Sequence, residues 1–291
     1  MATASASISP QNRDRLNQIA AHWPLLAGFL ILAIPTMATL GREVWVRESG
    51  AHGPIVLATG AWLLMTQRTH GLEREGPGWG VALLAIPSLA LYTFGRAYDF
   101  IVLEAAGVYG TMLAMALRLI GLRSMLQNWF PFFYLGFMVP PPDWVIDKFT
   151  SPLRVFVSIV VTKGLQLLDY PITRDGVTMT VAQYSLLVED ACSGMNSIIG
   201  LTAVTLLYIY LMHKASWRYC LLLLAFVLPV AIIANMVRVT VLVLLTYHFG
   251  DAVAQGFLHV TTGLVLFMFA LGLIFLIDAL LQRLLKKGHG A

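Results

Sequence analysis

The chain of 291 residues is 58% hydrophobic and only 12% charged, with a formal net charge of +4 and a mean hydropathy of +0.76. A water-soluble domain carries about a quarter of its residues charged, so this composition excludes one. Its apolar runs are continuous rather than alternating, as in "GLTAVTLLYIYLM". That pattern points to helices in a bilayer, where backbone polar groups must be satisfied internally.

The opening stretch, "MATASASISPQNRDRLNQIAAHWP", lacks the compact basic start and small-residue cleavage site of a signal peptide. It reads as a retained cytoplasmic tail. Apolar runs and their breakers then predict eight spans, at 23–41, 54–67, 78–95, 100–117, 125–140, 193–212, 218–236 and 260–282. The expected fold is all-α: one polytopic integral membrane domain over 1–291, with about eight transmembrane helices and an outward-facing active site. With the N-terminus inside, cytoplasmic segments hold eleven of the 19 lysines and arginines, among them Arg13, Arg15, Arg68, Arg74, Arg118, Arg123, Lys214 and Arg218. Lysine and arginine in short loops set orientation, so both termini are expected in the cytoplasm of the cell (inner membrane), with lipid as the surrounding partner.

Residues 141–191 form one long outer excursion. The prolines of "VPPPDW" end the fifth span. Apolar residues at helical spacing from Trp144 to Leu168 predict a helix along the interface. "RDG" marks a turn, and "VTMTVAQYSLLV" is rich in β-branched residues, which predicts a short hairpin. The stretch 237–259 is apolar but interrupted by Arg238, His248, Gly250 and Asp251. It is expected to make an outer or re-entrant excursion.

Three side chains stand out against this background. Cys192, in "SLLVEDACSGMNSIIG", sits where the sixth span enters from the outer face. Unpaired N–H groups and the macrodipole at a helix start favour a thiolate, the nucleophilic form. Arg238 lies inside "LPVAIIANMVRVTVLVLLTY", and an arginine at bilayer depth costs about 2.5–3.5 kcal/mol on insertion scales. His259, in "GFLHVTTG", precedes the last span and carries a proton-exchanging imidazole. Taken alone, each has a plainer reading: a packing thiol, an arginine snorkelling to headgroups, a hydrogen-bonded rim histidine. Together they supply the nucleophile, base and cationic stabiliser of acyl transfer through a thioester.

"DACSG" opening a span, "NMVRV" after a proline-containing span and "GFLHVTTG" before the last one resemble the exosortase/archaeosortase family. The resemblance covers the eight-span layout and is sharpest from Val181 to Gly263. It implies a membrane cysteine transpeptidase acting on proteins with a C-terminal sorting signal: a Pro-Glu-Pro-like motif, a transmembrane helix and a basic tail. It further implies Cys192 as nucleophile, Arg238 as charge stabiliser, His259 as proton carrier, and a link to exopolysaccharide production. "MNSI" after Gly194 departs from the family pattern, which has a basic residue near Asn196, and leaves the target motif open.

Two rival readings have residues of their own. A rhomboid-like serine protease would use Ser193, although Ala191 stands where its motif needs glycine. A transporter or scaffold for polysaccharide export would use Glu104 and Arg238 as a polar pathway. There is no CxxC, no HExxH and no phosphate loop, so neither a metal nor another cofactor is expected. A pI near 9.1 reflects loop charge, not nucleic-acid binding. His52 lies in an outer loop with no partner in sequence, and His248 is a substitute for His259.

Overall fold

A computed structural model describes residues 23–47, 50–66, 76–187, 197–212, 217–250 and 257–288. The chain divides into two units, one of 1–42 and 63–139, the other of 43–62 and 140–291.

The first unit holds α1 (Trp23–Glu43), α3 (Gly78–Ala97), α4 (Ile101–Gln127) and α5 (Trp129–Leu135). α2 (Gly53–Thr66) spans the boundary between the units. α3 and α4 form a hairpin that turns at Asp99, whose φ is 57°. Lipid tails give helices no hydrophobic reason to associate, so close packing of small residues has to do it. A Cβ on Gly107 would lie 2.5 Å from the Tyr92 backbone nitrogen, and one on Gly95 would lie 2.3 Å from that of Glu104. Polar contacts add to the packing. Glu104 is 3% exposed, accepts the Thr36 hydroxyl from α1 at 2.7 Å, and pairs with Arg96 of α3 at 3.3 Å. This carboxylate therefore ties α1, α3 and α4 together.

The expected span 125–140 is not one helix. The backbone leaves helical geometry at Asn128, α5 ends at Leu135, and a 3-10 turn covers Gly136–Met138. Pro131 lacks a backbone donor, and Pro140, Pro141 and Pro142 forbid continuation. The Tyr109 hydroxyl donates to the Phe132 carbonyl at 2.8 Å.

The second unit contains α6 (Asp143–Gln166), then strands β1 (Ile172–Asp175), β2 (Thr178–Val181) and β3 (Tyr184–Leu187). It continues with α7 (Ser197–Met212), α8 (Trp217–Phe249) and α9 (Phe257–Gly288). The strands make an antiparallel meander in the order β1-β2-β3, one strand more than the hairpin read from sequence. β1 and β2 pair from Ile172↔Val181 to Asp175↔Thr178, turning at Gly176 with φ 59°. β2 and β3 turn across Ala182, φ 51°.

Two cores stack along α8. The upper one packs Val157, Val161 and Leu165 of α6 with Met179 and Val181 of β2, and all of these against Val239, Leu242 and Val243. The lower one packs Leu201 and Ile209 of α7, Leu223 to Ala234 of α8, and Ala270 and Ile274 of α9. Ile198 touches both.

α8 takes up 237–249 of the stretch expected to make an excursion, while 251–256 lie outside the described residues. The helix runs unbroken through Arg238 to Phe249, because "VRVTVLVLLTY" contains no breaker before Gly250. Gly250, at φ 83°, closes it with an N–H to the Thr246 carbonyl at 3.0 Å. Thr240 and Thr246 satisfy their hydroxyls on carbonyls one turn back.

Four helices among the described residues are long and apolar enough to cross a membrane: Trp23–Glu43, Gly78–Ala97, Ile101–Gln127 and Arg218–Phe249. Three other apolar helices are shorter: Gly53–Thr66, Trp129–Met138 and Ile198–Met212.

Gly107→Val is expected to destabilise the first unit by about 3 kcal/mol, since the new side chain meets backbone on α3. Gly28→Ala, whose methyl meets nothing within 4 Å, should leave stability within about 0.5 kcal/mol of the parent. Thermal denaturation in detergent measures both.

Candidate active site

Arg238 is 2% exposed and sits where the two cores meet, one turn above Ala234 and next to Val239. From Arg218 to Arg238, α8 rises about 30 Å, one hydrocarbon thickness. Arg238 thus belongs to the turn of α8 at which the three-helix bundle gives way to the α6–sheet cap.

His259 lies in the first turn of α9, whose backbone is described. Its height follows from a contact at the other end of that helix. Asp278 is 2% exposed and accepts the Tyr208 hydroxyl from α7 at 2.6 Å, the Tyr219 hydroxyl from α8, and the Gln282 amide at 2.9 Å. α8 and α9 run antiparallel, with Tyr219 beside Asp278 and Val230 packed in one core with Ala270 and Ile274. Arg238 is nineteen residues beyond Tyr219, and His259 is nineteen before Asp278. Both stand about 28 Å above the Asp278 contact on neighbouring helices.

Cys192 and Ser193 lie outside the described residues. They belong to 188–196, which joins β3 to α7, the first turn of which holds Ile198 at the seam. Cys220, by contrast, is a free thiol packed against the lower core. His248 is set apart from Arg238 by ten residues of continuous helix, about 15 Å, so it does not share the level of Arg238. Its Nε2 lies 3.5 Å from the Tyr170 hydroxyl.

The transmembrane exosortase family model matches residues 45–276, most of the chain. The chain belongs to the transmembrane exosortase family. No curated protein and no solved structure matches it. Membership in the exosortase family supports a membrane transpeptidase or protease role in general terms, and the family is generally one of cysteine transpeptidases.

Sequence reading passed over Asp278, the group that fixes the register of this exosortase's three-helix bundle. The signal was present: an acid inside an apolar span, with Tyr208 and Tyr219 at the ends of the two preceding ones. His52 was noticed but left without a partner. In the structure its ring lies against Gly200 of α7, where an added Cβ would be 3.2 Å from the His52 Cβ and 3.6 Å from Nδ1.

Asp278→Ala strands two tyrosine hydroxyls in the bundle and is expected to lower stability by about 3 kcal/mol, with Asp278→Asn costing less. Denaturation midpoints in detergent rank the two. A second test addresses height. In protein lacking Cys192 and Cys220, a short bifunctional maleimide should join Arg238→Cys to His259→Cys, and should fail to join Arg238→Cys to Leu266→Cys, about 10 Å lower.

Proposed function

We propose that this protein is a cysteine transpeptidase or protease of exported proteins, with Cys192 as nucleophile, Arg238 as oxyanion stabiliser and His259 as proton carrier. Its substrates carry a C-terminal sorting signal composed of a Pro-Glu-Pro-like motif, a transmembrane helix and a basic tail. The reaction takes place on the outer face of the inner membrane, with both enzyme termini in the cytoplasm, and serves exopolysaccharide production.

The observation that carries this reading is the shared height of Arg238 and His259, about 28 Å above the Asp278 contact and level with the seam. Arg238 is buried, and arginines at such depth pair, face a wet cavity or carry function. Ser197 starts α7 only five residues after Cys192, so the chain between them spans at most about 18 Å.

The chemistry follows from these parts. The Cys192 thiolate attacks the scissile carbonyl carbon, and the oxyanion is held by the Arg238 guanidinium. Collapse breaks the C–N bond, and the His259 imidazolium gives its proton to the leaving amine. The thioester remains on Cys192. An amine or water then attacks it, His259 takes the proton of that nucleophile, and the thiolate departs.

Mass spectrometry of a tail-bearing protein co-expressed with each variant tests this. Cys192→Ala should abolish trimming, and Arg238→Met and His259→Ala should each reduce it by about a hundredfold or more. Ser193→Ala should leave it intact. Loss of trimming in Ser193→Ala with retention in Cys192→Ala would establish the serine reading. Retained cleavage in every variant, with failed polysaccharide export, would establish the transporter reading.

A further inference from the structure

The sheet of the second unit has two edges, and the chain treats them differently. β1 and β3 each pair on one side only, with β2 between them. In an antiparallel ladder, successive residues alternately turn their N–H and C=O toward the partner strand and away from it. Two residues, Ala182 and Gln183, join β2 to β3, so Tyr184 bonds back to Val181, and Leu186 to Met179. Ser185 and Leu187 therefore turn their backbone groups away from the sheet. On the other side the Ala182 N–H fixes the phase by reaching the Pro171 carbonyl at 3.3 Å. It follows that Ile172 and Arg174 turn outward from β1.

β1 closes its edge. The Ile172 N–H donates to the Tyr170 carbonyl at 2.9 Å, and the Ile172 carbonyl accepts the Gln166 amide at 2.9 Å. Arg174 adds an exposed charge, a common guard of strand edges. β3 has no such closure. Its sequence, "YSLL", holds no charge and no proline, and Ser185 is exposed. Among the described residues, nothing bonds the outward N–H and C=O of Ser185. β3 begins beside the end of α8, where a Cβ added to Gly250 would lie 3.4 Å from the Tyr184 hydroxyl. Leu186 then joins the upper core with Val239, Leu242 and Val243. Cys192 follows Leu187 by five residues, at most about 18 Å of chain.

We propose that the open edge of β3 takes an extended segment of the client protein as a fourth strand. This deepens the function proposed above and rests on its client class. A helix engages its carbonyls in its own ladder, so a chain presented for cleavage is held extended, and strand addition supplies main-chain hydrogen bonds for that. The spacing of the proposed Pro-Glu-Pro segment suits such an edge. Prolines two residues apart put both missing N–H groups on one side of an extended chain, and the other side keeps every donor. The client pairs with β3 through its complete side, and its proline side ends the sheet.

The test uses full-length Cys192→Ala protein in detergent and a dye-labelled synthetic probe: a Pro-Glu-Pro segment, an apolar helix of about 20 residues and a basic tail. Fluorescence anisotropy gives Kd. N-methylation of the probe removes one N–H at a time and leaves the enzyme unaltered. Methylation of the glutamate, or of the residue after the second proline, should raise Kd about tenfold. Methylation one residue further on should leave it within about twofold, a period of two. Ser185→Pro removes an outward donor and keeps the bonds to β2, so it should weaken binding by a similar factor at an unchanged denaturation midpoint. Arg174→Pro, on the β1 edge, should leave Kd within about twofold. Methylation effects without alternation would overturn the proposal, as would Ser185→Pro binding like the parent or no worse than Arg174→Pro. Light scattering addresses the other occupant: a dimer that Ser185→Pro converts to monomer, with probe affinity intact, would assign the edge to a second copy of this chain. Binding is read apart from cleavage, so trimming retained in Cys192→Ala would sink the assigned chemistry and leave strand addition standing. A probe that does not bind at all would overturn strand addition and the client class together.

Discussion

One buried carboxylate sets the register of the second unit. Helices that share a lipid solvent gain little from apolar contact with one another, and can slide unless polar groups hold them. Asp278 prevents this at one end of the bundle by accepting from Tyr208, Tyr219 and Gln282 at once. A buried acid with three donors is a satisfied group; the same acid a turn out of place would be an expensive one. Every level further along α8 and α9 is then counted in steps of helical rise, including those of Arg238 and His259.

Above that anchor, α8 changes neighbours. Up to Ala234 it packs against α7 and α9, and from Met236 it packs against α6 and the sheet, with Arg238 in the turn where the change occurs. Side chains on the cap side of α6 include Thr150, Ser158 and Thr162, all buried, while Phe149 and Phe156 are exposed. Val157, Val161 and Leu165 are buried beside those hydroxyls, and the exposed face mixes the aromatic rings with Asp143, Asp147, Lys148 and Lys163, a mixed face of the kind an interfacial helix carries.

Much of the helical framework was legible because apolar runs of membrane length leave little choice of secondary structure. Legibility failed where the decisive contact lies outside the local window. The excursion expected at 237–259 rested on the interruptions at Arg238, His248, Gly250 and Asp251, yet polar or charged side chains do not break backbone hydrogen bonds, and the helix runs through Arg238 and His248 to Phe249. The span expected at 125–140 was bounded by its prolines but read as one apolar run, and Asn128 and Gly136 divide it. β1 is short and polar, "ITRD", and becomes a strand by pairing with β2. Arg238 and His259 were visible as chemically odd residues in apolar sequence. Asp278 and His52 gained meaning only when tertiary structure supplied their partners.

The length of α8 has a mechanical consequence. Thirty-three residues make a rod of about 50 Å, about two-thirds longer than the oily layer is thick. The overhang is too greasy to stand bare in water, so the α6–sheet cap serves as its sleeve.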